Sequence, residues 1–246
     1  MDLIRPAVTP RVSIIVLLQN GLNIEKPLIA AFPANIVLSG VSLIGASESP
    51  PGHIIHEDND ITKLGPFPHP SIPPSTSTAA AKRLIALYNA SGNVEWIFDA
   101  EVPRTRWRKL VYNSSLNPLS ALLGLGVTSM RQSHSVVDDL IMPCMREIVA
   151  VAAAAGYALE DGVEDAMLRT DPVTADFVPS MGQDVRKGGY VEVETIVGEP
   201  VREAERLCVE VPTLRVVYGL LRGLQWRTMV ARGYAKAEFG PENPYG

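Results

Sequence analysis

Lys109, Asn113 and Asn117 stand four residues apart in the stretch RWRKLVYNSSLNP. On an α-helix each such step drifts by roughly 40°, so one face would carry an ammonium and two amides. All three side chains donate hydrogen bonds, a set that suits a carboxylate or a polarised carbonyl oxygen. Trp107, Leu110, Val111 and Leu116 surround that stripe with apolar groups, and Asn117-Pro118 punctuates the helix where backbone groups become available to a ligand. Spacing alone also allows a solvent-facing polar stripe. A further candidate is Asn20 in LLQNGL, which closes a run from Val12 to Leu18 that is apolar except for Ser13. A buried strand ending in an amide pair and a glycine has the form of the lip of a ligand site.

The elements that must position these residues fall into two textures. Val12–Leu18 suits a buried parallel strand, Ile24–Ala31 a helix and Asn35–Ile44 a second strand. GHIIHEDNDITKLG alternates and turns as an edge hairpin would, and the Pro-, Ser- and Thr-rich stretch Pro66–Ser77 reads as an exposed loop. Ala80, Leu84, Leu87 and Tyr88 repeat at helical spacing within Ala79–Ser91, Gly92 stops that helix, and VEWIF follows as a strand. From Val102 the period is helical: Arg104–Leu125, then His134–Leu159 bent at Pro143, then Pro212–Arg232, before a loose tail from Ala235. The expectation is a mixed fold, with an α/β region over residues 1–101 and an all-α region over 102–246. YVEVETIV, residues 190–197, largely alternates and reads as a strand by period alone.

Composition narrows the function classes. With 246 residues and 46% hydrophobic content the chain can bury a sizeable core, and its formal charge of −5 lacks a nucleic-acid footprint. The basic stretch Arg104–Lys109 reads as a helix whose arginines mostly face solvent. Cys144 and Cys208 show no metal-ligand spacing, and Cys144, within an apolar helical run, reads as a buried free thiol. The longest apolar run, Ile148–Ala155, falls far short of the roughly 20 residues of a membrane span. With no secretory leader visible, the expectation is a cytoplasmic protein with no metal, nucleic-acid or membrane partner, acting on a small molecule.

RWRKLVYNSSLNPLSALLG resembles the opening of the C-terminal domain of the ketopantoate reductases, or 2-dehydropantoate 2-reductases. LLQNGL resembles their strand-end motif, and PSMGQDVRKGGYVEVETIVGEPV their later signature. GVSLIGA and GHIIH resemble the intervening strands, and the blocks stand in the family's order over essentially the whole chain to about Leu224. The resemblance implies a Rossmann-like α/β region before a helical domain, and reduction of a 2-oxo acid or related ketone with NADPH. By motif, it makes Lys109 the general acid and Glu192 its catalytic partner, binding the substrate hydroxyl. Asn20 lies near substrate and nicotinamide and is a residual cofactor contact, Asn113 and Asn117 touch substrate, and Ser180 binds its carboxylate. It also implies a helix over residues 190–197, with Gly189 allowing close packing and Glu192 sharing a face with Ile196.

Three features depart from the family pattern. No Gly-x-Gly-x-x-Gly turn precedes LLQNGL, where only residues 1–16 stand, so the resemblance implies a chain that starts midway through the Rossmann region. Val127-Thr128 stands where an Asn-Gly pair is expected, and Phe177 where some members carry an asparagine; both make the pocket less polar. Three readings follow: a piece of an NADPH-dependent reductase; a scaffold that has lost its cofactor and now runs an isomerisation, cyclisation or pericyclic step on an apolar intermediate; or a non-catalytic binding or dimerisation module. An open strand edge beside Val12–Leu18, and long apolar helices beyond what half a sheet covers, imply self-association as a homodimer.

Overall fold

The computed structural model describes residues 2–48, 50–56, 58–174, 176–240 and 244–245. Two units emerge: the chain up to Lys109 together with Tyr157–Leu159, and Leu110–Gly156 together with the chain from Glu160 onward.

In the first unit β1 (Ile14–Leu17), α1 (Lys26–Ala31), β2 (Ile36–Ser42), a small hairpin of β3 (Ala46–Glu48) and β4 (Ile54–His56), β5 (Ile61–Pro66), α2 (Pro74–Asn89) and β6 (Glu95–Phe98) follow in order. The main sheet runs β1-β2-β5-β6, with β1 and β2 parallel, β5 antiparallel to β2, and β6 parallel to β5. Alternation along β2 sends Val37 to one face, where Leu17, Leu28 and Phe32 pack, and Leu38 to the other, with Leu64, Ala81 and Trp96. Helices α1 and α2 thus cover opposite faces, which is why β2 is buried on both sides and largely apolar, with Ser39, Gly40 and Ser42 as its exceptions. Buried Asn35 ties the lead-in to this sheet, its amide donating to the carbonyls of Thr9 and Ser13, both at 2.8 Å.

Several expectations are corrected here. The segment taken as one edge hairpin is divided: Ile54–His56 pairs with Ala46–Glu48, while Ile61–Pro66 becomes an inner strand of the main sheet. Buried Thr62 and Leu64 alternate along β5, so its period was legible but its partner was not. Helix α2 begins at Pro74, inside the presumed loop, because proline suits the first turn of a helix. Its buried face carries Ser77 and Ala81, with Leu84 and Ile85 packed beside them; Leu87 and Tyr88 point outward, 64% and 48% exposed. Tyr88 stacks on Trp96 with ring centroids 4.0 Å apart.

Helix α3 (Val102–Asn113) follows β6, and the division between the two units falls inside it, after Lys109, rather than at 101/102. The stretch Arg104–Leu125 is not one helix: the chain breaks at Ser114-Ser115 and restarts as α4 (Leu116–Leu123), which Gly124 caps at φ +72°. The hydroxyl of Ser115 turns back to donate to the carbonyl of Val111 at 2.6 Å, competing with the helix ladder. Pro118 falls in the first turn of α4, where no donor is needed. Then come α5 (Val127–Gln132), the short α6 (His134–Val136), a π-turn (Val137–Ile141) and α7 (Met142–Ala154). The rest is α8 (Val163–Leu168), α9 (Ser180–Arg186), a second π-turn (Glu194–Gly198), α10 (Glu199–Leu207) and α11 (Pro212–Ala231).

Each π-turn ends two residues before a proline, Pro143 or Pro200. A proline cannot donate to the carbonyl four residues back and its ring collides there. Widening the turn resolves both problems: the amide of Met142 reaches the carbonyl of Val137, and that of Glu199 reaches Glu194. The segment 190–197 is therefore helical only from Val193, and Glu192 lies just before the helix rather than within it. The core of this unit joins α7 (Met145, Ile148, Val151) to α11 (Leu214, Val217, Leu221) and α10 (Val201, Ala204). Cys144 is buried here as a free thiol.

Candidate functional site

In the first unit the chain leaves β1 through Gln19-Asn20-Gly21, and Gly21 takes φ +104°, a value open to glycine and strained for other residues. This turn presents the Asn20 side chain to α3. There the Lys109 ammonium donates to Asn20 Oδ1 at 2.9 Å and to the carbonyl of Ser42 at 2.6 Å, at the end of β2. The fold thus joins Asn20 and Lys109, 89 residues apart in sequence.

One turn earlier on α3, Arg106 corrects the reading of a solvated basic face. It is 4% exposed and forms a buried ion pair with Glu25, at 3.1 Å from Nε to Oε1. Ser39 donates to the same Glu25 oxygen at 2.5 Å and accepts from Arg106 Nη2 at 2.8 Å. Desolvation pulls the Arg106 proton affinity down and the charge of Glu25 works against that pull. Arg106, Glu25 and Ser39 were missed from sequence. The one available signal was Glu25, an acid soon after the Gln-Asn-Gly turn; Arg106 stands among Arg104, Arg108 and Lys109 and carries no signal of its own. Asp99 anchors the start of α3, its carboxylate accepting from the amide of Glu101 at 2.9 Å and the hydroxyl of Thr105 at 2.5 Å.

The remaining sequence candidates, Asn113, Asn117, Ser180 and Glu192, belong to the second unit. Asn113 ends α3 and is 6% exposed; Asn117 opens α4 at 2% exposure. The expected continuous stripe is thus divided between two helices. Asn117 Oδ1 is buried without a hydrogen-bond partner, an acceptor suited to a ligand N–H or O–H. Ser180 is exposed, at the first position of α9, which packs on α4. A Cβ on Gly182 would fall 2.8 Å from Ser120 Oγ, so the close approach of α9 to α4 needs glycine there. Asp176 secures the loop before Ser180: its carboxylate accepts from the amide of Ser129 at 3.0 Å and its hydroxyl at 2.6 Å, holding that carboxyl below the ordinary aspartate range.

Glu192 is partly buried and its carbonyl accepts from the amide of Ile196 at 3.1 Å. Pro200 cannot bond the carbonyl of Ile196, and the buried hydroxyl of Ser114 donates to it instead at 2.6 Å. That bond brings the break after Asn113 against the turn that follows Glu192. Val191 is held by Gln225, whose Oε1 accepts from the Val191 amide at 3.2 Å and whose Nε2 lies 3.5 Å from its carbonyl. Val191 and Glu192 line a groove of about 710 Å³ with Arg222, Trp226 and Met229. Among the described residues no group of three or more His, Cys, Asp or Glu could hold a metal ion, and no helix is long and apolar enough to cross a membrane.

Comparison with known proteins returns matches along most of the chain. Residues 101–225 match the family described as ketopantoate reductase PanE/ApbA C terminal, and residues 1–69 match ketopantoate reductase PanE/ApbA. An uncharacterized protein of Saccharomyces cerevisiae is 35% identical over 232 residues, 90% of this chain and 64% of its own length. A 2-dehydropantoate 2-reductase of Nostoc is 25% identical over 222 residues, 90% of this chain and 69% of its own. The crystal structure of 2-dehydropantoate 2-reductase from Methylococcus capsulatus superposes with a TM-score of 0.80 at 33% identity, covering 92% of this chain and 70% of that one. The chain thus spans about two thirds of the length of these relatives.

Proposed function

The chain belongs to the ketopantoate reductase family, and from that premise we propose that it acts in the NADPH-dependent reduction of a 2-oxo acid or related ketone, with Lys109 as general acid. The observation that carries this reading is the Lys109 ammonium held at 2.9 Å from Asn20 Oδ1, at the end of a parallel strand. Adding hydride to a ketone builds negative charge on its oxygen, and a positioned ammonium both stabilises that charge and delivers the proton. Asn20 orients the ammonium by accepting a hydrogen bond from it. Asn113, Asn117 and Ser180 are assigned to the substrate, with the unpartnered Oδ1 of Asn117 taking a donor from it, and Glu192 to the hydroxyl that forms or is carried nearby.

The residues present fit one end of the cofactor. The Gln-Asn-Gly turn offers an amide and a side-chain-free glycine to a nicotinamide edge, whereas none of the described residues forms a Gly-x-Gly-x-x-Gly cradle for pyrophosphate. NADPH, when bound, supplies the hydride; this chain's residues account for the proton and the substrate. A non-redox step on an apolar intermediate draws support from Val127, fully buried where an asparagine was expected, and from the apolar Phe177, whose carbonyl accepts from the Val127 amide at 2.8 Å. Homodimer formation belongs to the same proposal, supported by Val216, Leu220 and Trp226 exposed along α11.

NADPH fluorescence titration and turnover with a panel of 2-oxo acids test the reading together. Binding with turnover is expected, and Lys109→Ala is expected to lower kcat by about 10²–10⁴-fold. No NADPH binding, combined with a Lys109-dependent conversion of another substrate, would transfer the assignment to the non-redox reading.

A further inference from the structure

We infer that Arg106 is a positioning residue: its guanidinium pins the backbone on both sides of Asn20 and thereby sets the acceptor that orients the Lys109 ammonium. The inference rests on the role proposed above for Lys109 and adds a device that composition and motif do not assign.

A guanidinium carries five N–H donors in a fixed planar fork. All five are directed in this structure. Nη1 donates to the carbonyls of Gln19 and Gly21, both at 2.9 Å. Nη2 donates to the carbonyl of Gly40 at 3.0 Å and to Ser39 Oγ at 2.8 Å, and Nε reaches Ser39 Oγ at 3.2 Å. Nε also lies 3.1 Å from Glu25 Oε1, so the carboxylate braces the fork from its other side.

Gln19 and Gly21 are the two neighbours of Asn20. The Gln19 carbonyl lies in the peptide plane that leads into Asn20 and the Gly21 carbonyl in the plane that leaves the turn, so one nitrogen holds the turn at both ends and the Asn20 Cβ direction follows. The same guanidinium ties this turn to β2 through Gly40, two residues from the Ser42 carbonyl that also accepts from Lys109. Arg106 and Lys109 are three apart on α3 and share a face, so a single helix delivers the clamp and the acid. A lysine at position 106 would keep the charge beside Glu25, but its single nitrogen could not span the two carbonyls and Ser39.

A buried ion pair adds little net stability over a well-packed apolar core of equal volume. Geometry is the better reason for saturating a guanidinium here, since a displacement of about 1 Å at a reacting group can cost on the order of 10²-fold in rate.

The test uses the full chain with Arg106→Lys and, separately, Ser39→Ala, which removes the acceptor shared by Nε and Nη2. The ¹⁵Nζ resonance of Lys109, assigned by its loss in Lys109→Arg, reports the ammonium whether or not turnover occurs. In folded Arg106→Lys that resonance is expected to move to the position of exposed lysines, with a smaller shift in the same direction in Ser39→Ala. Where reduction of a 2-oxo acid is measurable, kcat should fall at least about 10-fold while KM changes less than about 3-fold, as for a group acting on the chemical step. A folded Arg106→Lys with the wild-type Lys109 resonance overturns the inference. If Arg106→Lys does not fold, an unchanged resonance in Ser39→Ala overturns it. If the wild-type chain reduces no 2-oxo acid, the reductase proposal falls while the Lys109 resonance still decides the role of Arg106.

Discussion

The sharpest stability prediction concerns Glu147. Helix α11 opens at Pro212 with no side-chain cap of its own. Its first amides are satisfied by a carboxylate from another helix: Glu147 Oε1 accepts from Thr213 at 2.9 Å and Oε2 from Leu214 at 2.8 Å. The carboxylate thus supplies two charge-assisted bonds and a negative charge at the positive end of a 20-residue helix. A hydrogen bond to a charged group contributes about 1.5–3 kcal/mol and loss of a helix cap costs about 0.5–2 kcal/mol. These overlap, and water reaches the half-buried site, so Glu147→Ala should cost about 2–4 kcal/mol. At about 2–4 °C per kcal/mol for a chain of this size, Tm should fall by about 5–15 °C. Glu147→Gln retains one accepting oxygen and should lose about half as much. Thermal unfolding followed by far-UV circular dichroism, with urea titration as a second measure, reads both variants. A Tm for Glu147→Ala within 1 °C of wild type would refute the capping argument. Equal losses in the two variants would refute the claim that each oxygen serves a separate amide.

Three further outcomes follow from the same geometry. Cys144 is buried and burial pushes its thiol up to about 12, with the charge of Glu147 adding to the shift, while Cys208 is exposed; a thiol reagent at pH 8 should therefore modify one cysteine rapidly and the second only on unfolding. The Asp176 carboxyl is held below its ordinary value of 3.8 chiefly by the Ser129 hydroxyl and amide. Its contribution is present above the unfolded value and lost as pH falls through the lower folded one, so the Ser129 amide resonance should stay constant down to about pH 4 and titrate only below it. Gly65, on β5, lies against the carbonyl of Asp99 so closely that an added Cβ cannot be accommodated without moving backbone. Gly65→Ala should displace the Asp99 cap of α3, lowering Tm and weakening any Lys109-dependent turnover together; loss of neither would sink that link.

Much of the fold was legible because local period and burial agree. The apolar run at β2 is buried on both faces, and α11 spans Pro212–Ala231 almost as its pattern predicts. Where the reading failed, the deciding partner was distant in sequence. Ile61–Pro66 has the pattern of any half-polar strand, and only pairing with β2 on one side and β6 on the other makes it internal. The break between α3 and α4 leaves no mark in the helical period of 104–125, because a serine pair weakens a helix only slightly by propensity. The hydroxyl bonds of Ser114 to Ile196 and of Ser115 to Val111 are what the break satisfies.

The candidate site divides in the same way. Residue types and spacing point to Asn20, Lys109, Asn113 and Asn117, whereas Ser180 and Glu192 come only through the resemblance to the ketopantoate reductases, whose motifs are contiguous and chemically distinctive. Sequence could not place Arg106. An arginine in a basic, amphipathic stretch has the same local pattern whether it meets water or five protein acceptors, and the difference lies in Gln19, Gly21, Glu25, Ser39 and Gly40, all more than 60 residues away. The chain by itself determined which groups can donate, accept and carry charge, because those are properties of the side chains. Only the tertiary structure decided which are desolvated and aimed at one another, because burial and direction are properties of the pairing between distant segments.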